Sequence, residues 1–409
     1  MHISLDSALG RQRRLNSVGE SVLQIAPNAA AAYSLRSLTG GDPKVVRVRR
    51  SSDNAESDFT ASEVSSGALV NFVNEIQTLG TVTNSSGNNG FTLTNTSSTG
   101  FTATTDTATG VCGWPYTAKA GDKITVSFDA VIRSGTPQFL PRRATALSSD
   151  NLASVVSDSP LSVNSTASYS FEFTYDDDQA GSLTFSEGDD NADFDISNFQ
   201  VTVFKGAGFV ETWYDQSGNS KDATQATANL QPKIVNAGSL LTDGITFDGT
   251  DQVGLVTGSF SLTQAFTTFS VSHTDDASTS VGIWATAASA TNNFNVTALF
   301  RSDDGFAVNA GSTLTTAGTI DYVADRTYLQ TNVVNGGSSS IFVDGATGKT
   351  GNAGSTNPSG VLIIGYFKSG AYFNLDGAIK ELIIYDSDQT SNRAALETNI
   401  ADANGVTLS

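Results

Sequence analysis

The chain has 409 residues, 38% of them hydrophobic and only 15% charged, with a formal net charge of −19. Its 23 Phe, 10 Tyr and 3 Trp can fill a large core, which excludes a disordered chain, and the length suits two or three domains. A single cysteine, Cys112, excludes an internal disulfide and zinc sites built on several thiolates, and two histidines, His2 and His273, leave little material for His-based catalysis. No apolar run approaches the length of a membrane-spanning helix, and no Sec-type leader is expected, because no basic segment precedes a short apolar stretch.

Charge is unevenly placed. Residues 1–50 carry Arg11, Arg13, Arg14, Arg36, Lys44, Arg47, Arg49 and Arg50 against Asp6, Glu20 and Asp42, whereas the remainder is strongly acidic. An acidic body repels nucleic acid and anionic lipid, so neither nucleic-acid binding nor membrane insertion is expected.

Residues 1–27 have loosely spaced apolar positions broken by Gly10, Gly19 and Pro27, too interrupted for a long helix. A segment of this kind gains order by packing on a partner, so it is read as an anchor centred on Arg11, Arg13, Arg14 and Leu15. Ala29 to Leu38 is expected to make a helical turn before Gly40-Gly41, and Ser66 to Phe72 a second short helix. Between them, Lys44 to Arg50 alternates as a strand with Val46 and Val48 on one face.

The block 76–206 is rich in Thr, Ser and Asn, with strands expected at Phe91–Leu93, Phe101–Ala103, Lys123–Ile132, Tyr169–Tyr175, Ser182–Phe185 and Phe199–Phe204. From Gly208 onward further short strands follow, including Phe209–Tyr214, Ile245–Phe247, Phe266–Ser272, Leu329–Val334 and Ala378–Tyr385. Asp388 to Ala403 is expected to close the chain as an amphipathic helix, with Ala394, Ala395 and Ile400 inward and Gly405 past its end. The expected fold is all-β: two β-sandwich (jelly-roll) domains, one inserted in the other, with a short N-terminal anchor and a C-terminal helix.

Two separated stretches match one pattern. Ala31-Ala-Tyr-Ser-Leu-Arg36 with Val46-Arg-Val-Arg-Arg-Ser-Ser-Asp53, and Trp213-Tyr-Asp-Gln-Ser-Gly-Asn219 followed by Asp222-Ala-Thr-Gln-Ala226, resemble the opening of the catalytic domain of fungal-type α-L-arabinofuranosidase B. The resemblance implies a concanavalin A-like sandwich, of a kind that also occurs in phage tail and other virion proteins. The gap from Asp53 to Trp213 is much longer than in those relatives. It implies a domain inserted at 76–206 within a host sandwich of 28–75 plus 207–409. Ile245-Thr-Phe-Asp-Gly249, Ile341-Phe-Val-Asp-Gly345 and Phe373-Asn-Leu-Asp-Gly377 look like laminin-G-type elements, their Asp-Gly pairs turning hairpins. The inserted block resembles jelly-roll carbohydrate-binding modules in Gly121 to Ala130 and Asp193 to Val201.

Arg49, Arg50, Asp53, Trp213, Tyr214 and Asp215 form the motif residues. Asp215 is expected to close an Asx-turn and the arginines to pair with Asp53 or Asp58. No nucleophile or acid transfers from the enzymes, since the adjacent cysteines of their catalytic region have no counterpart in His273 to Ala285. Asp275, Asp276, Asp303 and Asp304 are the remaining carboxylates for a hydrolase reading. Sugar-stacking candidates are Trp114, Tyr116, Trp284, Tyr366 and Tyr372, Trp114 being expected to be the least buried. Asp189, Asp193 and Asp195 offer hard oxygen donors for calcium, while Cys112 reads as a small core hydrophobe. The functional expectation is a phage virion protein, a tail fibre or receptor-binding component contacting host-surface polysaccharide. Its alternatives are a capsid decoration or head-fibre protein and an arabinofuranosidase-like hydrolase. Assembly in a host cytoplasm, contact with other virion proteins through residues 1–27, and a homo-oligomer, a trimer by the habit of fibres, complete it.

Overall fold

The computed structural model describes residues 20–84, 91–104, 110–117, 120, 122–142, 161–175, 181–187, 192–204, 206–250 and 254–409. The chain divides into two compact units, Met1–Val70 with Ala207–Ser409, and Asn71–Gly206. Nearly every regular element is a strand, and among the described residues all strand pairs are antiparallel. No described helix is long and apolar enough to cross a membrane.

The larger unit is organised around the strand Asp376–Tyr385. One edge pairs with Phe266–Thr274, and the other is shared between Ile245–Asp248 and Ala29–Ser34. Phe266–Thr274 continues through Tyr328–Val334 to Ser339–Val343 and Ala346–Gly351. A second run of strands links Leu255–Ser261, Ser359–Ile364, Val281–Ala287, Val296–Phe300 and Phe306–Asn309. Phe266–Thr274, Tyr328–Val334 and Val281–Ala287 are buried at every position, which requires cover on both faces. Outside the first run, Leu396, Ile400 and Ala401 of the helix Arg393–Asn404 join Val22, Leu38, Phe269 and Ile383 in one cluster. Outside the second, Phe367 of the strand Tyr366–Ser369 packs with Ala285, Leu299 and Ala307.

Several expectations change here. Ala29–Ser34 is a strand rather than a helical turn, because it pairs residue for residue with Ser34↔Glu381 through Ala31↔Ile384 and its Ala29 and Ala32 bury in the cluster that holds the C-terminal helix. Tertiary pairing overrides the helix preference of alanine. The C-terminal helix begins at Arg393, since Asp388 instead caps a turn through the N–H and hydroxyl of Thr390. Its inward face is Leu396, Glu397, Ile400 and Ala401, with Ala394 and Ala395 exposed. Gly405 ends it with φ 69°, as a left-handed cap requires. The helix expected over Ser66 to Phe72 is present as Ala68–Val73, and a further helix forms at Ala61–Ser65. Of the Asp-Gly pairs, Asp344-Gly345 turns a hairpin with φ 49° and 82°, but Asp376-Gly377 opens a strand. There a Cβ on Gly377 would stand 2.3 Å from the His273 carbonyl, so glycine is required by close approach.

The smaller unit is built of two sheets. One sheet runs Leu161–Ser162, Gln138–Arg142, Gly181–Glu187, Gly110–Tyr116, Thr83–Asn84. The other runs Ala167–Thr174, Lys123–Ser134, Asp193–Phe204, Phe101–Thr104, Thr92–Thr94, with Asn74–Ile76 also on Asp193–Phe204. Its core is aromatic: Trp114 stacks on Phe199 with centroids 4.1 Å apart, and Phe185 contacts Phe101, Phe128 and Phe139. Cys112 is a buried member of this core, its thiol pushed up by desolvation.

Candidate functional site

The two separated motif stretches of the larger unit meet in space. The Asp215 carboxylate accepts the backbone N–H groups of Ala32 (2.9 Å), Ser217 (2.9 Å) and Lys221 (3.0 Å), and the Ser217 hydroxyl (2.7 Å). Gln216 accepts from the N–H of Leu38 at 2.7 Å and donates to the carbonyls of Ser34 and Arg36. Asn219 donates to the Ala29 carbonyl, Trp213 packs on Tyr33, and the Tyr214 hydroxyl donates to Asp58 at 2.7 Å. The expected Asx-turn is present, and the same side chain also holds the strand Ala29–Ser34 in place. Every carboxylate oxygen of Asp215 is engaged by the fold itself, so the motif is structural.

Arg50 and Arg47 take the expected carboxylates, whereas Arg49 takes neither. Arg50 pairs with Asp53 at 2.6 Å and holds that carboxyl down to about 2. Arg47 pairs with Asp58, which Lys44 also contacts at 2.8 Å. Arg49 is buried, donating to Gln231, Asn54 and the Ala228 carbonyl, with its guanidinium over Phe209. None of the three presents a free guanidinium for an acidic ligand.

The aromatic candidates separate sharply. Trp114 has 0% exposure and lies in the centre of the smaller core, against the expectation that it is the least buried. It sits mid-strand in Gly110–Tyr116, where the flanking Gly113 lets that strand approach Leu183 closely. Tyr116, Trp284 and Tyr366 are buried as well, so none of these rings can stack on a sugar. Tyr372 alone is open, 47% exposed on the hairpin Tyr366–Ser369/Ala371–Asn374, with the Lys368 ammonium 4.8 Å over its ring.

Asp193 and Asp195 are engaged by Arg133, whose guanidinium donates to Asp193 at 2.8 Å and bidentately to Asp195 at 2.7 and 2.9 Å. That pairing lowers the Asp195 carboxyl. Asp189 and the anchor residues Arg11, Arg13, Arg14 and Leu15 lie outside the described residues. Among the described residues no group of three His, Cys, Asp or Glu is placed to hold a metal.

The hydrolase carboxylates are mostly committed to turns. Asp276 accepts from Ser278 and Thr279, and Asp303 from Arg301, each contact lowering the acid. Asp304 occupies a turn with φ 62°. Asp275 contacts the His273 Nε2 at 3.1 Å. Close by, Asp376 is raised above the ordinary range by burial and by Asp275, Asp276 and Asp248.

A site that the sequence reading missed lies on the smaller unit. Thr99, Ser127, Phe128, Asp129, Ser168, Tyr169, Asn198 and Gln200 line an open trough of about 350 Å³ on the outer face of the sheet that carries Lys123–Ser134. The alternation of that strand buries Ile124, Val126, Phe128 and Ala130 and turns Ser127 and Asp129 outward. Opposite them, Ser168 faces Asp129 and Gln200 faces Ser127, with a bulge between Ser197 and Gln200. Asn198 supplies the bulge with φ 53°, a conformation asparagine tolerates. Gly100 brings the neighbouring turn against it; a Cβ there would meet the Ile196 carbonyl at 2.4 Å. Thr99 is thereby set at the rim, its carbonyl accepting from the Phe199 N–H. At the centre the Asp129 carboxylate accepts from the Ser168 hydroxyl and from Asn198 Nδ2 at 2.7 Å, and both contacts lower its pKa. The signal was legible in Ser-Phe-Asp129, whose polar positions fall on the face opposite the core, but only the pairing partners give it meaning.

No protein-family model matches this chain, and no curated protein matches it. Solved structures with some likeness include a Trypanosoma rangeli sialidase in complex with 2,3-difluorosialic acid, at 14% identity and TM-score 0.34, over 57% of this chain and 43% of that one. Others are a heptameric SAP-like pentraxin from Limulus polyphemus, at 14% identity and TM-score 0.31 over 38% and 82%, and a Bacteroides ovatus protein to which carbohydrate binding is ascribed, at 10% and 0.28 over 73% and 79%. The chain thus spans less than half the length of that sialidase. Likeness at this level extends to strand-rich architecture and no further.

Proposed function

We propose that this chain is a non-catalytic glycan-binding protein that uses the Asp129 trough of its smaller unit. The observation that carries the reading is the trough itself: a carboxylate, two amides and four hydroxyl-bearing side chains line an open recess, a set of donors and acceptors that fits sugar hydroxyls. In the finer form of the proposal, the protein is a phage virion component of tail-fibre or receptor-binding type. The segment 1–27 docks it to other virion proteins through Arg11, Arg13, Arg14 and Leu15, since Val22 and Ala26 pack in the larger unit's own core; assembly is in a host cytoplasm, and a homo-oligomer presents the sandwiches to host-surface polysaccharide. That form draws on the two-part motif resemblance and on the basic start of an otherwise acidic chain. A capsid decoration or head-fibre position uses the same modules. Antibody labelling of purified particles, imaged by electron microscopy, tests it: label at the tail supports the receptor-binding form, label over the capsid the decoration form, and unlabelled particles refute both.

A second reading is glycoside hydrolysis, for which Asp376, raised by burial and by the neighbouring Asp275, Asp276 and Asp248, is the carboxyl to test as the acid. Release of reducing ends from arabinofuranosides or host polysaccharide, abolished by Asp376→Asn, would establish it.

A further inference from the structure

We infer that the trough selects neutral saccharides and rejects acidic ones; the inference rests on the glycan-binding reading above. Asp129 is the only charged group among the described residues that line the recess. Its two hydrogen bonds, from Ser168 and Asn198, lower its pKa, so it is ionised at neutral pH and acts as an acceptor only. A carboxylate offers about four lone-pair positions, and the fold uses two of them. The remaining two can accept a pair of neighbouring sugar hydroxyls.

The surroundings supply no compensating cation for an acidic sugar. On the same outward face, Lys123 is paired with Glu172 at 2.8 Å, and Arg133 is shared between Asp193 at 2.6 Å and Asp195 at 2.7 Å. Both described cations of that sheet face are therefore neutralised, and Asp129 stands as the charge a ligand meets. A uronate or sialate carboxylate entering the trough would face like charge with no arginine to receive it, which disfavours it beyond the simple loss of a contact. A neutral pyranose instead finds Asp129 as acceptor, the Asn198 and Gln200 amides as donors, and the hydroxyls of Thr99, Ser127 and Ser168 as either.

The test uses the full chain immobilised against two sets of oligosaccharides, neutral hexose oligomers and oligomers bearing uronate or sialate, with Asp129→Asn and Ser168→Ala as variants. Near-ultraviolet circular dichroism of each variant reports the aromatic core of the smaller unit. Neutral oligomers are expected to be retained and acidic ones not, with Asp129→Asn weakening neutral binding about ten- to hundredfold at an unchanged aromatic signal. Ser168→Ala is expected to weaken it by a smaller factor, since it removes one of the two groups that orient the carboxylate. Retention of acidic oligomers by the wild-type chain, or neutral binding indifferent to Asp129→Asn, overturns the selectivity while leaving glycan binding intact. Retention of neither set overturns the glycan-binding reading itself.

Discussion

At the residue scale, a few polar side chains tie distant parts of the larger unit together. Asp215 gathers three backbone N–H groups and a hydroxyl, and Gln216, only 6% exposed, bonds three backbone groups of the segment Ser34 to Leu38. Replacing Asp215 with Ala leaves those donors without acceptors in a partly buried setting, where each orphaned group costs about 1–3 kcal/mol. Partial access to water lowers the total, and the expected loss is about 2–3 kcal/mol of unfolding free energy by denaturant titration. A loss below about 0.5 kcal/mol would show that the motif is dispensable to the fold. This much was legible in the sequence: the Asx-turn at Asp215 and the pairing of Arg50 with Asp53 follow from local chemistry, and both are present. The partnership of Asp215 with Ala32 was approached only through the resemblance that joined the two stretches.

At the scale of elements, the readings that failed are those decided by distant partners. Ala29 to Leu38 looks helical by composition, yet Ala29–Ser34 is a strand because it pairs with the edge of Asp376–Tyr385, burying Ala29 and Ala32 in the cluster that holds the C-terminal helix. Trp114 looks exposed beside Gly113 and Pro115, yet the glycine allows the close strand approach that buries the indole. Strands with clean alternation, such as Lys123–Ser134, were legible, whereas the trough beside it was not, since it depends on a bulge, a loop and a partner strand meeting. The element that shapes the trough can be tested through Gly100. A Gly100→Ala substitution forces a methyl against the Ile196 carbonyl, so the 95–100 turn must move away from the bulge. The expected result is a destabilisation of about 1–3 kcal/mol with weakened glycan retention. Unchanged stability and unchanged retention would show that the turn does not shape the recess.

For the whole molecule, the acidic composition has its own consequence. With a net charge of −19, repulsion among surface carboxylates opposes compaction, and added salt screens it. Raising sodium chloride from about 0.01 M to about 0.3 M is expected to raise the melting temperature by a few degrees. A fall would mean that the ion pairs, such as Arg133 with Asp193 and Asp195, outweigh the repulsion. The division into two units also assigns the work: the motif residues serve the larger fold, while the polar recess belongs to the smaller one. Binding without turnover is the central claim of this arrangement. It is tested most directly by migrating the full chain through gels containing neutral polysaccharide while assaying the same mixtures for new reducing ends. Retardation with no release of reducing ends is the predicted result; release that follows protein concentration would contradict it.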